Sequence, residues 1–150
     1  MSQLLSKDRF KKIVGSFKDL KPVLVVGDVG IDKYTHGEVK RISPEAPVPV
    51  LEVNKEWNKL GLAANVTDNL KSLMVHSTLC GVIGDDTRAN LLESLLEEGE
   101  LKTWGLVRDS SRMTTYKERI TTMTQQICRV DYESRHPLSE EILKKFQTRV

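Results

Sequence analysis

Residues 22–53 read PVLVVGDVGIDKYTHGEVKRISPEAPVPVLEV, and the punctuation of this stretch decides the fold. Val23 to Val26 are uninterrupted aliphatics bounded by Pro22 and Gly27, the pattern of a short strand buried on both faces. Asp28 and Asp32 follow the carboxyl end of that strand. Pro44, Pro47 and Pro49 then fix φ and remove backbone donors, which favours an extended, exposed ribbon over a central strand. Val48, Val50 and Val53 alternate into one or two further strands with one exposed face. Together these features predict carboxylates at the mouth of a buried strand and a stiff excursion able to cover them.

Outward from this stretch, helical and strand patterns alternate. Ser6 caps a helix in SKDRFKKIVGSF, with Phe10, Ile13, Val14 and Phe17 on one face. Leu62 to Leu73 is predicted helical, its stripe being Ala63, Val66, Leu70 and Leu73. VHSTLCGVIG is the next strand, and TRANLLESLLEE at 87–98 is the clearest helix, stopped by Gly99. LKTWGLVRDS supplies a third core strand, Thr114 to Glu133 a hairpin around TTMTQ, and Ser139 the cap of a last helix. This order predicts an α/β fold with a mostly parallel sheet flanked by helices.

Composition excludes several classes. The net charge of +2 and the short like-charge blocks give no nucleic-acid-binding surface. Cys80 and Cys128 fit neither a zinc nor a redox spacing, and Cys80 reads as a small buried side chain. His36 and His76 have no metal-ligand spacing, so no metal site is expected. No run approaches a membrane span and the N-terminus lacks the apolar core of a secretory signal, so a cytoplasmic protein is expected. Trp57 and Trp104 read as packing residues, and Asp85 and Asp86 as a strand-to-helix turn.

In open parallel sheets the ligand crevice lies beyond the carboxyl ends of the strands. Asp28 and Asp32 are placed to accept hydrogen bonds there from the hydroxyls of a polyol or sugar, or, for Asp28, to cap a turn after Gly27. The 27–53 run resembles the start of the ribokinase-like (PfkB) carbohydrate kinases, most closely the D-glycero-D-manno-heptose 7-phosphate kinase branch. The unbroken RISPEAPVPV at 41–50 carries most of this likeness. Gly61-Leu62-Ala63-Ala64-Asn65-Val66, GVIGDD at 81–86, TTYKERI at 114–120 and QQICRVDYE at 125–133 extend it over residues 22–135.

The resemblance implies a ribokinase-like fold with a projecting β lid, at about 36–58 and 113–133, and a sugar site in residues 1–150. It places Asp28, Asp32, Gly61 and Asn65 on the sugar. Arg41, Lys117, Arg119 and Arg129 would address the phosphate already on it, or else form solvated strand faces. Asn65 would contact ligand or stabilise a helix start. Family lids often pair across subunits, so a homodimer is expected.

Two departures from the family pattern matter. Leu62 stands where the family has the second glycine of a Gly-Gly hinge; at positive φ, leucine there costs on the order of 1 kcal/mol or more. The Gly-Ala-Gly-Asp-like segment that carries the family's base and anion hole does not occur in these 150 residues, nor does a GxxxxGK[ST] loop. No catalytic residue is therefore assigned. ATP and Mg²⁺ are expected only with a complementary C-terminal half, and the chain alone is expected to be inactive. The competing expectation is a non-catalytic sugar-phosphate-binding or dimerising module.

Overall fold

A computed structural model describes residues 5–150. The elements follow in the order α1 (Lys7–Gly15), β1 (Val23–Val26), β2 (Val29–Ile42), β3 (Pro49–Leu62), α2 (Ala63–Ser72), β4 (Ser77–Ile83), α3 (Thr87–Glu98), β5 (Leu106–Arg108), β6 (Thr115–Thr121), β7 (Gln126–Tyr132) and α4 (Glu140–Gln147). They build an α/β fold from two sheets. The core sheet is fully parallel in the order β1-β4-β5; the second, in the order β3-β2-β6-β7, is antiparallel except for the β2–β6 pair.

The caps act where the sequence places them. Ser6 accepts from the Arg9 amide, Asp86 from Ala89 and Ser139 from Ile142, each satisfying one amide that the first helical turn leaves unpaired. One apolar cluster joins the sheets: Val25 of β1, Val29 and Ile31 of β2, Leu60 of β3, Leu79 and Ile83 of β4, and Leu92 and Leu96 of α3. The root of the second sheet is thus fixed in the core. Its far end, from Glu38 to Ile42, is exposed.

Three expectations about packing need correction. β1 buries only Val25; Val23, Leu24 and Val26 are exposed, because among the described residues β1 is an edge strand that pairs only with β4. The buried face of α2 is Ala64 and Thr67, and Val66 and Leu73 face outward. The two corrections meet in one place, since Val66 and the β1 aliphatics line the same open groove. Helix α1 forms on schedule but buries none of its residues, so its stripe of Phe10 and Ile13 is exposed.

Two further differences are local. The proline-rich segment is not a ribbon of its own: residues 43–48 are a bend joining the long strands β2 and β3. Trp104 is exposed rather than packed, while Trp57 stacks on Tyr34 with ring centroids 5.1 Å apart and planes 4° apart. Cys80 is buried and Cys128 exposed, both as free thiols. Among the described residues, no helix is long and apolar enough to cross a membrane.

Candidate functional site

The carboxyl end of β1 opens into a cavity of about 670 Å³. Gly27 and Asp28 form one wall, Leu62 and Val82 another, and Thr115 and Lys117 at the root of β6 a third. Segment 133–138 and Phe146 of α4 close the remaining side. This is the position a parallel sheet gives to ligands, where strand ends diverge and backbone groups are left unpaired.

Asp28 is exposed, and among the described residues its carboxylate makes no hydrogen bond or ion pair. The turn-capping alternative therefore has no contact behind it. The Asp28 carbonyl instead accepts from the Ala63 amide at 3.0 Å, tying the start of α2 to the cavity wall. That tie falls immediately after Leu62, whose backbone stands at φ 56° and ψ −129°. L-residues other than glycine rarely occupy this region. The strained position is the one where the family pattern has glycine.

Lys117 lines the cavity with Asp131 and Glu133 at 3.2 and 2.8 Å from its ammonium. The hydrogen bond to Glu133 raises the Lys117 pKa against the opposing effect of burial, and Glu133 is correspondingly held below the usual carboxyl range. Asp131 is also claimed by Arg129, at 2.8 Å from Nε and 3.0 Å from Nη2. Desolvation works to raise the Asp131 carboxyl, but Arg129 and Lys117 outweigh it and lower it. Arg119 Nη1 lies 2.6 Å from Asp32 Oδ1, an ion pair that lacks the alignment of a hydrogen bond.

The predicted residues therefore divide. Asp28 and Lys117 line the cavity; Asp32, Arg119 and Arg129 lie beyond it on the same face of the second sheet as Lys117. Gly61 is buried in register with Gly30, and a Cβ on it would meet the Asp32 carboxyl carbon at 3.2 Å. Asn65 is exposed on the first turn of α2 and does not line the cavity. Arg41 is not brought to the site at all. It lies near the distal end of β2, twelve residues beyond Val29, and a strand rises about 3.3 Å per residue. The cations grouped by resemblance thus do not converge within one chain.

Sequence reasoning also missed part of the wall. Arg112 lines the cavity, positioned by Asp109, which accepts from Arg112 Nε at 2.9 Å and from the Ser111 amide and hydroxyl at 2.9 and 2.6 Å. The DSSR run at 109–112 is an Asx-turn signature that would have marked this loop. Ser134 and His136 reach the cavity only through the return of the chain after β7, a placement with no local signal.

The two-sheet α/β fold is ribokinase-like. Residues 23–148 match the pfkB family of carbohydrate kinases, and the chain belongs to that family. It is 49% identical over 126 residues to the bifunctional protein HldE of Helicobacter pylori strain HPAG1, covering 84% of this chain and 27% of that protein. It is 46% identical over 123 residues to HldE of Wolinella succinogenes, with 81% and 26% covered. The chain thus spans about a quarter of the length of these relatives.

Solved structures agree on the fold. Ribokinase from Cryptococcus neoformans, solved with ADP, matches with a TM-score of 0.58 at 19% identity, covering 81% of this chain and 38% of that one. Halothermothrix orenii fructokinase matches with a TM-score of 0.53 at 22% identity, covering 77% and 38%.

Proposed function

We propose that these 150 residues form the sugar-phosphate-binding part of a D-glycero-D-manno-heptose 7-phosphate kinase domain, acting in the cytoplasm in ADP-heptose synthesis for the lipopolysaccharide core. The observation that carries the reading is the uncommitted Asp28 carboxylate at the cavity wall, facing the same space as Lys117. A carboxylate without internal partners is an acceptor for sugar hydroxyls, and the match of RISPEAPVPV to the heptose kinase branch selects the sugar.

Phosphoryl transfer needs the nucleophilic hydroxyl positioned and the γ-phosphate charge neutralised by dipoles, cations and metal. In this reading the ATP and Mg²⁺ sites belong to residues outside these 150, and the chain alone binds sugar phosphate without turning it over. The partner it requires is the remainder of the kinase domain, for which the free edge and exposed aliphatics of β1 are a suitable surface. The same surface also favours the second reading, a dimerising or purely binding module, which predicts no turnover when the remainder is supplied.

Calorimetric titration of the chain with D-glycero-D-manno-heptose 7-phosphate, with and without Mg-ATP, tests this. Saturable binding that ATP leaves unchanged and Asp28→Asn weakens is expected. No heat at millimolar sugar phosphate would overturn the reading.

A further inference from the structure

The face of the second sheet that carries Lys117 is built in cross-strand rows. Lys59, Asp32, Lys117 and Asp131 stand in the first row, and Trp57, Tyr34, Arg119 and Arg129 in the next. Nearly every cation near the cavity is already committed to a carboxylate. Lys117 has Asp131 and Glu133, Arg119 has Asp32, Arg129 shares Asp131, Arg112 has Asp109 and Arg135 has Glu133. Lys117 spends two of its three N–H donors on Asp131 and Glu133, which leaves it one donor for an incoming phosphate. Lys117 is thus less free for the phosphate role the family resemblance gave it than an unpaired lysine on the same face.

Lys59 differs. It is exposed, and among the described residues it forms no ion pair; its ammonium lies 5.8 Å from the centroid of the Tyr34 ring. Tyr34 is stacked on Trp57 and also has the Arg119 guanidinium 5.4 Å from its ring centroid, and the face of such a ring favours a cation without neutralising it. Lys59 does not itself line the cavity; it stands beyond it, in the row that runs through Asp32 to the cavity-lining Lys117, and Gly61, two residues further along β3 on the same face, adds no side chain to that face. Lys59 is two strands from Lys117, about 10 Å at normal strand spacing, a distance comparable to the length of a phosphorylated heptose.

We infer that Lys59 is the residue that recognises the phosphate of the bound sugar phosphate, with the stacked Tyr34–Trp57 pair positioning its ammonium. The inference rests on the sugar-phosphate reading above and assigns the phosphate end of that ligand. Lys117, in contrast, holds Asp131 and Glu133 in place and contributes to the site through them.

The test is calorimetry of the full chain with heptose 7-phosphate and with the unphosphorylated heptose, using Lys59→Gln, Lys59→Arg and Lys117→Gln. Lys59→Gln is expected to weaken the phosphorylated ligand about tenfold or more, the loss of one charge-assisted hydrogen bond, and to leave the unphosphorylated sugar unchanged. Lys59→Arg should restore most of the affinity. Circular dichroism of each variant checks the fold, which an exposed position on an edge strand should preserve. Equal binding of the phosphorylated sugar by wild type and Lys59→Gln would overturn the assignment while leaving the sugar-phosphate reading intact. Absence of binding by the wild type to either sugar would overturn both.

Discussion

Asp86 Oδ2 accepts the Thr114 amide at 2.9 Å while Oδ1 of the same carboxylate accepts the Ala89 amide at 2.8 Å. One side chain thereby caps α3 and pins the segment that leads into β6, and Thr114 itself is fully buried. Asp86→Ala removes a cap and leaves a buried amide unpaired, a loss of about 1–3 kcal/mol. Urea denaturation should show a lower midpoint with an unchanged slope. Stability equal to wild type would mean that the two elements are held together without this contact.

The same carboxylate gives a pH dependence. Burial works to raise its pKa, but hydrogen bonds from Thr114 and Ala89 outweigh burial and hold it below the ordinary aspartate value. A carboxyl whose folded pKa is depressed contributes stability that is complete above the unfolded value, about 3.9, and is lost as pH falls through the folded one. Acid should therefore cost wild type more stability than Asp86→Asn below about pH 4. Parallel losses for the two proteins in denaturation series across this range would count against it.

Leu62 should reverse a familiar ranking. Glycine normally destabilises regular structure by about 0.5–1 kcal/mol relative to alanine. At φ 56° and ψ −129°, however, only glycine is free of strain. Leu62→Gly is expected to be more stable than Leu62→Ala by about 1 kcal/mol or more. Thermal or urea unfolding of both variants decides it; a more stable alanine variant would exclude left-handed backbone here.

The open edge of β1 predicts association. Leu24 is 46% exposed and Val26 51%, on a strand whose second edge has no partner among the described residues. Such edges pair with other chains, and a lysine on the edge suppresses this. Sedimentation should show wild-type mass rising with concentration and Leu24→Lys remaining closer to monomer. Identical behaviour of the two would show that this edge does not drive self-association.

Much of the fold was legible because its signals are local. Caps at Ser6, Asp86 and Ser139, the aliphatic run at 23–26 and the Thr122–Gln125 turn between β6 and β7 each act within a few residues. The cavity at the mouth of β1, with Asp28 on its wall, lies where the strand-end rule puts a crevice. Burial was misjudged for β1, α2 and α1 because periodicity shows that a face is apolar and says nothing about what lies opposite it.

The sequence by itself determined the order of elements, the family and the place, Leu62, where the family pattern has glycine. These depend on short-range geometry and on motif residues that neighbours in the chain specify. Only the tertiary structure decided which charges are free. Asp32 and Arg119 are 87 positions apart in sequence and 2.6 Å apart in space, while among the described residues Lys59 is left without a carboxylate. Neutralisation depends on the register between β2, β3, β6 and β7, and strand register between distant segments is set by packing of the whole sheet rather than by any one of its strands.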